Sequence, residues 1–128
     1  MKILLDSHAL VWYLGGDTRL SRKARQIADD ADSEVYISAV CAWEIAVKVN
    51  RGRWPEAIQI ADSLQEITLA QAFAALPITI EHARVAGFLS ARHRDPFDRM
   101  LAAQSQIEGM PLITADPAFR VFGTSVIW

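Results

Sequence analysis

Four carboxylates occupy positions in this chain where acids could share a task. Asp6 follows the apolar run "KILL", Glu44 lies inside "SAVCAWEIAVKVNRG", Asp98 belongs to "HRDPFDRMLAAQ", and Asp116 follows "PLIT" after one alanine. Carboxylates brought together repel one another and raise each other's pKa unless a cation is present. A hard divalent ion resolves that repulsion. Mg²⁺ takes oxygen ligands, keeps several waters and typically uses one or two direct carboxylates. Two such ions would suit in-line displacement at phosphorus, clamping the attacking and the leaving oxygens.

Each acid also has an ordinary reading. Asp95 makes a good N-cap, Pro96 suits the first helical position, and Asp98 then faces the positive end of the helix dipole. That explains both aspartates of "DPFD" without any ligand. Asp6 could cap a helix over "HALVWYL", and Asp116, followed by Pro117, could cap the helical turn after it. Glu44 is different, because it sits mid-helix on a face shared with Val40, Cys41 and Val47. A pair with Lys48 at i,i+4 is its plain reading, and such a pair is worth only ~0.2–0.5 kcal/mol.

The elements that must position these acids follow from the apolar pattern. "KILL" is too brief for a helix and reads as a buried strand ending at Asp6. "HALVWYL" reads as a helix stopped by Gly15-Gly16, "LSRKARQIADDAD" as an amphipathic helix capped by Ser21, and "EVYI" as a second strand. A helical period runs from Ser38 to Gly52, with Val40, Trp43 and Val47 on one stripe. Pro55-Glu56 opens more helix through Ala75, in one piece or two, before a short strand at "LPIT" and a helix over "EHARVAGFLSA". The next helix spans Pro96 to about Glu108, stopped by Gly109 and Pro111. "PLIT" is a strand, "PAFRV" a helical turn and "TSVIW" a last strand.

Short apolar strands alternating with helices predict an α/β domain with a short, mainly parallel sheet flanked by helices. Ligands of open parallel sheets bind beyond the carboxyl ends of the strands. Asp6, Asp116 and the starts of the helices carrying Glu44 and Asp98 all fall at that edge. Capping explains any one of them better than it explains all four.

Composition narrows the rest. The chain has 128 residues, 52% hydrophobic and 22% charged, which predicts one globular domain over 1–128. A formal net charge of −2 argues against nucleic-acid binding by sheer positive potential, so phosphate contacts would be local. The single Cys41 excludes an internal disulfide and a multi-cysteine zinc site. The start "MKILLDSHALVWYL" is interrupted by Asp6 and His8 and lacks a small-residue cleavage site, unlike a signal peptide. No stretch approaches the ~20 apolar residues of a membrane span. A soluble cytoplasmic protein is expected.

Taken in order, "LLDSHALVWYL", "ISAVCAWEIAVKVNRG", "HRDPFDRMLAAQ" and "LITADPAF" resemble the PIN-domain ribonucleases, in particular the VapC-type toxins of type II toxin–antitoxin pairs. Each motif alone is weak; the four together, covering nearly the whole chain, are specific. The resemblance implies a PIN-like three-layer sandwich and places the family's acidic quartet on Asp6, Glu44, Asp98 and Asp116. It makes Asp98 the site acid of "DPFD" and Asp95 the cap with a supporting place behind the site. It further implies Mg²⁺- or Mn²⁺-dependent cleavage of single-stranded or looped RNA, a homodimer, and an antitoxin protein that holds the toxin inactive. Ser7 stands where many relatives carry threonine and keeps the hydroxyl. Ser38 and Thr114, at two other strand ends, could orient waters or carboxylates, or simply serve turns and caps.

Arg51 and Arg53 after the Glu44 helix, and Arg92, Arg94 and Arg99 around the Asp98 helix start, could touch RNA phosphates or be ordinary solvated charge. His8 reads as structural or substrate-side, since Mg²⁺ prefers oxygen. His93 reads as a loop residue near the site, and His82 as a first-turn helix residue. Trp12, Trp43 and Trp128 are expected in the core or at a dimer surface, and Trp54 is the best candidate for an exposed stacking contact, though a packing role is the commoner one. Two other acid-at-strand-end classes fit poorly. A haloacid-dehalogenase-like phosphatase needs an aspartate where His8 stands, and a receiver domain needs adjacent acids where Asp6 is followed by Ser7. The remaining rival is a catalytically inactive PIN-fold binding module whose acids are caps and salt bridges.

Overall fold

A computed structural model of the chain describes residues 1–90 and 92–128. The central strand β1 (Lys2–Leu5) buries Ile3, Leu4 and Leu5 almost completely, as a strand covered on both faces must. Helices α1 (Ser7–Leu14) and α2 (Arg22–Asp29) lead to β2 (Glu34–Ser38), which runs straight into α3 (Ala39–Asn50). A 3₁₀ turn (Pro55–Ala57), α4 (Ile58–Asp62) and α5 (Leu64–Ala70) precede β3 (Ala74–Leu76). Then come α6 (Ile80–Phe88), α7 (Pro96–Glu108), β4 (Leu112–Ile113), a second 3₁₀ turn (Pro117–Phe122) and β5 (Val126–Ile127).

All four strand pairings are parallel, in the order β3-β2-β1-β4-β5. The expected short parallel sheet flanked by helices is therefore what the chain forms. The chain steps from β1 to β2 to β3 in one direction, then crosses back to lay β4 on the far side of β1. That reversal is a topological switch point, where the carboxyl ends of β1 and β4 leave a crevice. Among the described residues, no helix is long and apolar enough to cross a membrane.

The last two strands are shorter than "PLIT" and "TSVIW", α2 is shorter than "LSRKARQIADDAD", and the boundaries between α5 and α6 differ more. The helix expected through Ala75 ends at Ala70, because Ala72 turns the chain with φ 57° and Ala74 and Ala75 pair with Tyr36 and Ile37. Of "LPIT" only Leu76 is in a strand: Pro77 has no N–H to continue a ladder, and Thr79 caps α6 by accepting from the His82 amide at 3.1 Å. The helix over "EHARVAGFLSA" ends at Phe88, and its last expected residue, Ala91, lies outside the described residues.

The turn after α5 supplies a test. Phe73 N–H donates to Thr68 O and Ala72 N–H to Leu69 O, each at 3.0 Å, which is a Schellman closure with alanine at the left-handed position that favours glycine. Ala72→Gly removes a Cβ penalty of ~1–2 kcal/mol but loosens the unfolded chain by ~0.5–1 kcal/mol. A thermal scan is expected to show the variant about 2–4 °C more stable. A lower midpoint would mean Ala72 does not hold this conformation.

Candidate active site

The four acids meet at the switch point. Asp6 follows β1, and its amide donates to Ile113 O at 3.1 Å, extending the β1–β4 ladder by one step. Its Oδ1 accepts the Ala9 amide at 2.7 Å, so it caps α1, while Oδ2 accepts the Thr114 hydroxyl. The residue is only 6% exposed. Desolvation raises its carboxyl to about 7 against the lowering pull of Thr114 and Ala9, and the charges of Glu44 and Asp98 push in the same direction as burial.

Glu44 lies on the buried face of α3 with Val40, Cys41 and Ile45. Its Oε1 accepts the Ser7 hydroxyl at 2.7 Å and its Oε2 pairs with Lys48 Nζ at 2.6 Å. The plain i,i+4 reading is thus realised, in a position where both partners also line the acid recess. The expected apolar stripe is rotated: Val40 is buried, Val47 only partly, and Trp43 is 57% exposed against Phe97.

Asp95 caps α7 by accepting the amides of Phe97 and Asp98 at 2.8 and 3.1 Å. Asp98, one turn in, accepts from or shares a proton with His93 Nε2 at 2.6 Å. Burial raises the Asp98 carboxyl to about 6, opposed by the His93 hydrogen bond and aided by Asp95 and Glu44. Asp116 caps the 3₁₀ turn after β4 through the Ala118 amide at 2.9 Å, and its own amide donates to Thr114 Oγ1 at 3.0 Å. One threonine hydroxyl therefore ties Asp6 to the Asp116 turn.

Asp6, Glu44, Asp95, Asp98 and Asp116 line one recess of about 130 Å³, together with Ser7, His8, Lys48 and Phe119. Among the described residues, no three His, Cys, Asp or Glu side chains stand close enough to form a ready coordination set. The carboxylates share the recess but are each drawn to a different hydrogen-bond partner. The donor set is oxygen, which suits Mg²⁺ or Mn²⁺ and not a soft metal.

Other expected residues separate clearly. Ser7 and Thr114 serve the acids, whereas Ser38 caps α3 through the Val40 amide and donates to Gln104 Oε1 at 2.5 Å, facing a larger apolar groove instead of the recess. Arg51, Arg53, Arg92 and Arg94 are exposed, and none of the five arginines lines the recess. The Arg99 guanidinium donates to the carbonyls of Ala86, Gly87, Leu89 and His93, closing the end of α6 and the loop before α7. That use weighs against a phosphate contact. Of its two readings Trp54 takes the packing one: it is 5% accessible and lies against His8. Cys41 is buried, and desolvation pushes its thiol up to about 12, which leaves it inert. Lys48, Phe119 and Gln104 carried no distinguishing signal of their own in the sequence; Lys48 could be found only as the helical neighbour of Glu44.

Comparison with known proteins identifies the family. Residues 3–124 match the PIN domain family. Ribonuclease VapC22 of Mycobacterium tuberculosis is 34% identical over 119 residues, covering 92% of this chain and 89% of that protein. VapBC2 from Rickettsia felis, crystallised with a DNA fragment from its promoter, matches with a TM-score of 0.73 and 15% identity over 100% of this chain and 99% of the other. M. tuberculosis VapC20, a Sarcin-Ricin loop cleaving toxin, matches with a TM-score of 0.67 and 18% identity over 95% of each chain. The last two likenesses are of fold. The family match and the identity to VapC22 establish that this chain belongs to the PIN-domain family, in its VapC ribonuclease branch.

Proposed function

We propose that the chain is a Mg²⁺- or Mn²⁺-dependent endoribonuclease toxin, held inactive by a cognate antitoxin and acting as a homodimer in the cytoplasm. The observation that carries this reading is the convergence of four carboxylates, from four separated segments, on one recess at the switch point. Asp6, Glu44, Asp98 and Asp116 are the residues that would hold the ion or ions. A bound divalent ion supplies Lewis acidity, which makes water a usable nucleophile near neutral pH and offsets charge on the phosphate.

The chain's own part is to hold those acids. Thr114 and the Ala9 amide fix Asp6, Ser7 and Lys48 fix Glu44, and His93 fixes Asp98. In the proposed reaction a water oxygen bonds to phosphorus while the bond from phosphorus to the 3′-oxygen breaks. The released oxygen takes up a proton. The upstream fragment then ends in a 3′-hydroxyl and the downstream one begins with a 5′-phosphate.

Purified protein free of antitoxin is expected to cut structured RNA with Mg²⁺ or Mn²⁺ and to stop when EDTA is added. Asp6→Asn or Asp98→Asn should lower cleavage by at least ~10²–10³-fold, with the circular dichroism spectrum retained. Cleavage that persists in either variant would belong to a contaminating nuclease, and the proposal would fail.

The shifted acids give a second test. Folding raises the Asp6 carboxyl from 3.8 to about 7 and Asp98 from 3.8 to about 6, so the metal-free folded chain binds protons that the unfolded chain releases. The stability this contributes is complete below the unfolded value and is lost as pH rises through about 6 and then about 7. For Asp6 the ceiling is about 4 kcal/mol. The melting temperature in EDTA is therefore expected to fall from about pH 4 to about pH 7 and to level off above that, and to fall less in Asp6→Asn. Added Mg²⁺ should restore the most stability at the alkaline end. A metal-free midpoint that climbs across the window would contradict the burial of these acids.

A further inference from the structure

The rings at the mouth of the acid recess take no part in the chemistry above. His8 is exposed, yet its side chain lines the recess two residues from Asp6. Its ring packs on Trp54 with centroids 4.5 Å apart and planes inclined by 31°, and Trp12 approaches it at 5.7 Å. Trp54 is 5% exposed, so a fixed indole lies beneath a ring that still meets solvent. Lys48, paired with Glu44, holds its Nζ 5.5 Å over Trp54, and Arg19, paired with Asp17 and Glu56, lays its guanidinium 5.1 Å over Trp12, so both side chains brace the rings from within the protein. An exposed ring backed by a buried one has the composition of a single-strand stacking platform, because every base offers a π-face. A hard divalent ion has little use for the imidazole, which leaves the ring available to substrate.

We propose that His8, seated on Trp54, is a substrate-binding residue on which an RNA base next to the cleaved phosphodiester stacks. This rests on the RNA-cleaving reading and adds the residue that grips the base. Ordinary surface packing of His8 would give the same contacts within the protein, so the test must involve the base itself.

The full chain carrying Asp98→Asn, to keep RNA intact, is titrated by fluorescence anisotropy in Mg²⁺. The probes are a labelled single-stranded RNA of mixed sequence and the same strand with abasic riboses. Adding His8→Ala is expected to weaken binding of the normal strand by about 5- to 50-fold and to leave the already weak abasic strand unchanged. His8→Phe, which keeps a stacking face without ring nitrogens, should restore affinity. Equal losses on both strands, or a His8→Phe variant as weak as His8→Ala, would overturn the proposal. Should the native chain cut no RNA, the nuclease reading fails by itself, while this comparison of affinities is decided by its own readout.

Discussion

The Thr114 hydroxyl and the Ala9 amide both donate to the buried carboxylate of Asp6 at the junction of β1 and β4. Each contact favours the charged form, and burial disfavours it more strongly. Glu44 and Asp98 repel from across the recess. The outcome is an acid whose position is fixed by hydrogen bonds but whose charge those bonds do not neutralise. Its neighbours answer the same tension differently. Lys48 neutralises Glu44 directly, and His93 holds Asp98 through a hydrogen bond of 2.6 Å. The sheet order makes this crowding unavoidable, because the reversal at β1 delivers two strand ends and two helix starts to one crevice.

Capping and ligand binding turn out not to be alternatives here. Asp6 caps α1 with one oxygen and lines the recess, and Asp116 does the same for the turn after β4. The N-terminus of a helix and the carboxyl end of a parallel strand lie at the same edge of such a sheet, so one aspartate can meet both needs. A cap also fixes the side-chain rotamer, which holds a carboxylate ready without a dedicated scaffold. Glu44 has no cap to lean on. Its orientation comes from Ser7, the residue directly after Asp6, so the first strand end fixes two of the acids.

Much of this was legible in the residues. The strand ends, the start of α7 at "DPFD" and the collection of acids at one edge all follow from apolar runs and capping chemistry. What was hidden depends on contacts that no local pattern encodes. An alanine at φ 57° carries no glycine signal, so the break after α5 was invisible. The α3 period fits more than one buried stripe, so the exposure of Trp43 could not be read from spacing alone. Arg99 looked like a surface cation beside a site. Its guanidinium instead turns back to protein carbonyls, a choice fixed by where α6 happens to end.

The hydroxyls at the strand ends show how finely such a site is divided from the core. Ser7 and Thr114 donate into the acid recess, while Ser38, one strand over, donates into a buried contact with Gln104 of α7. The residue types are the same; the difference is what each strand end faces. Next to the reversal, a hydroxyl meets carboxylates that burial has deprived of water. One strand further out, it meets an amide whose Nε2 donates to Pro77 O at 3.3 Å. Ser38 therefore ties α3 to α7 from behind while Ser7 and His93 orient their acids from the front. That neutral contact links α3 to α7 without adding charge to the recess, so the electrostatics there are left to the acids, Lys48 and His93.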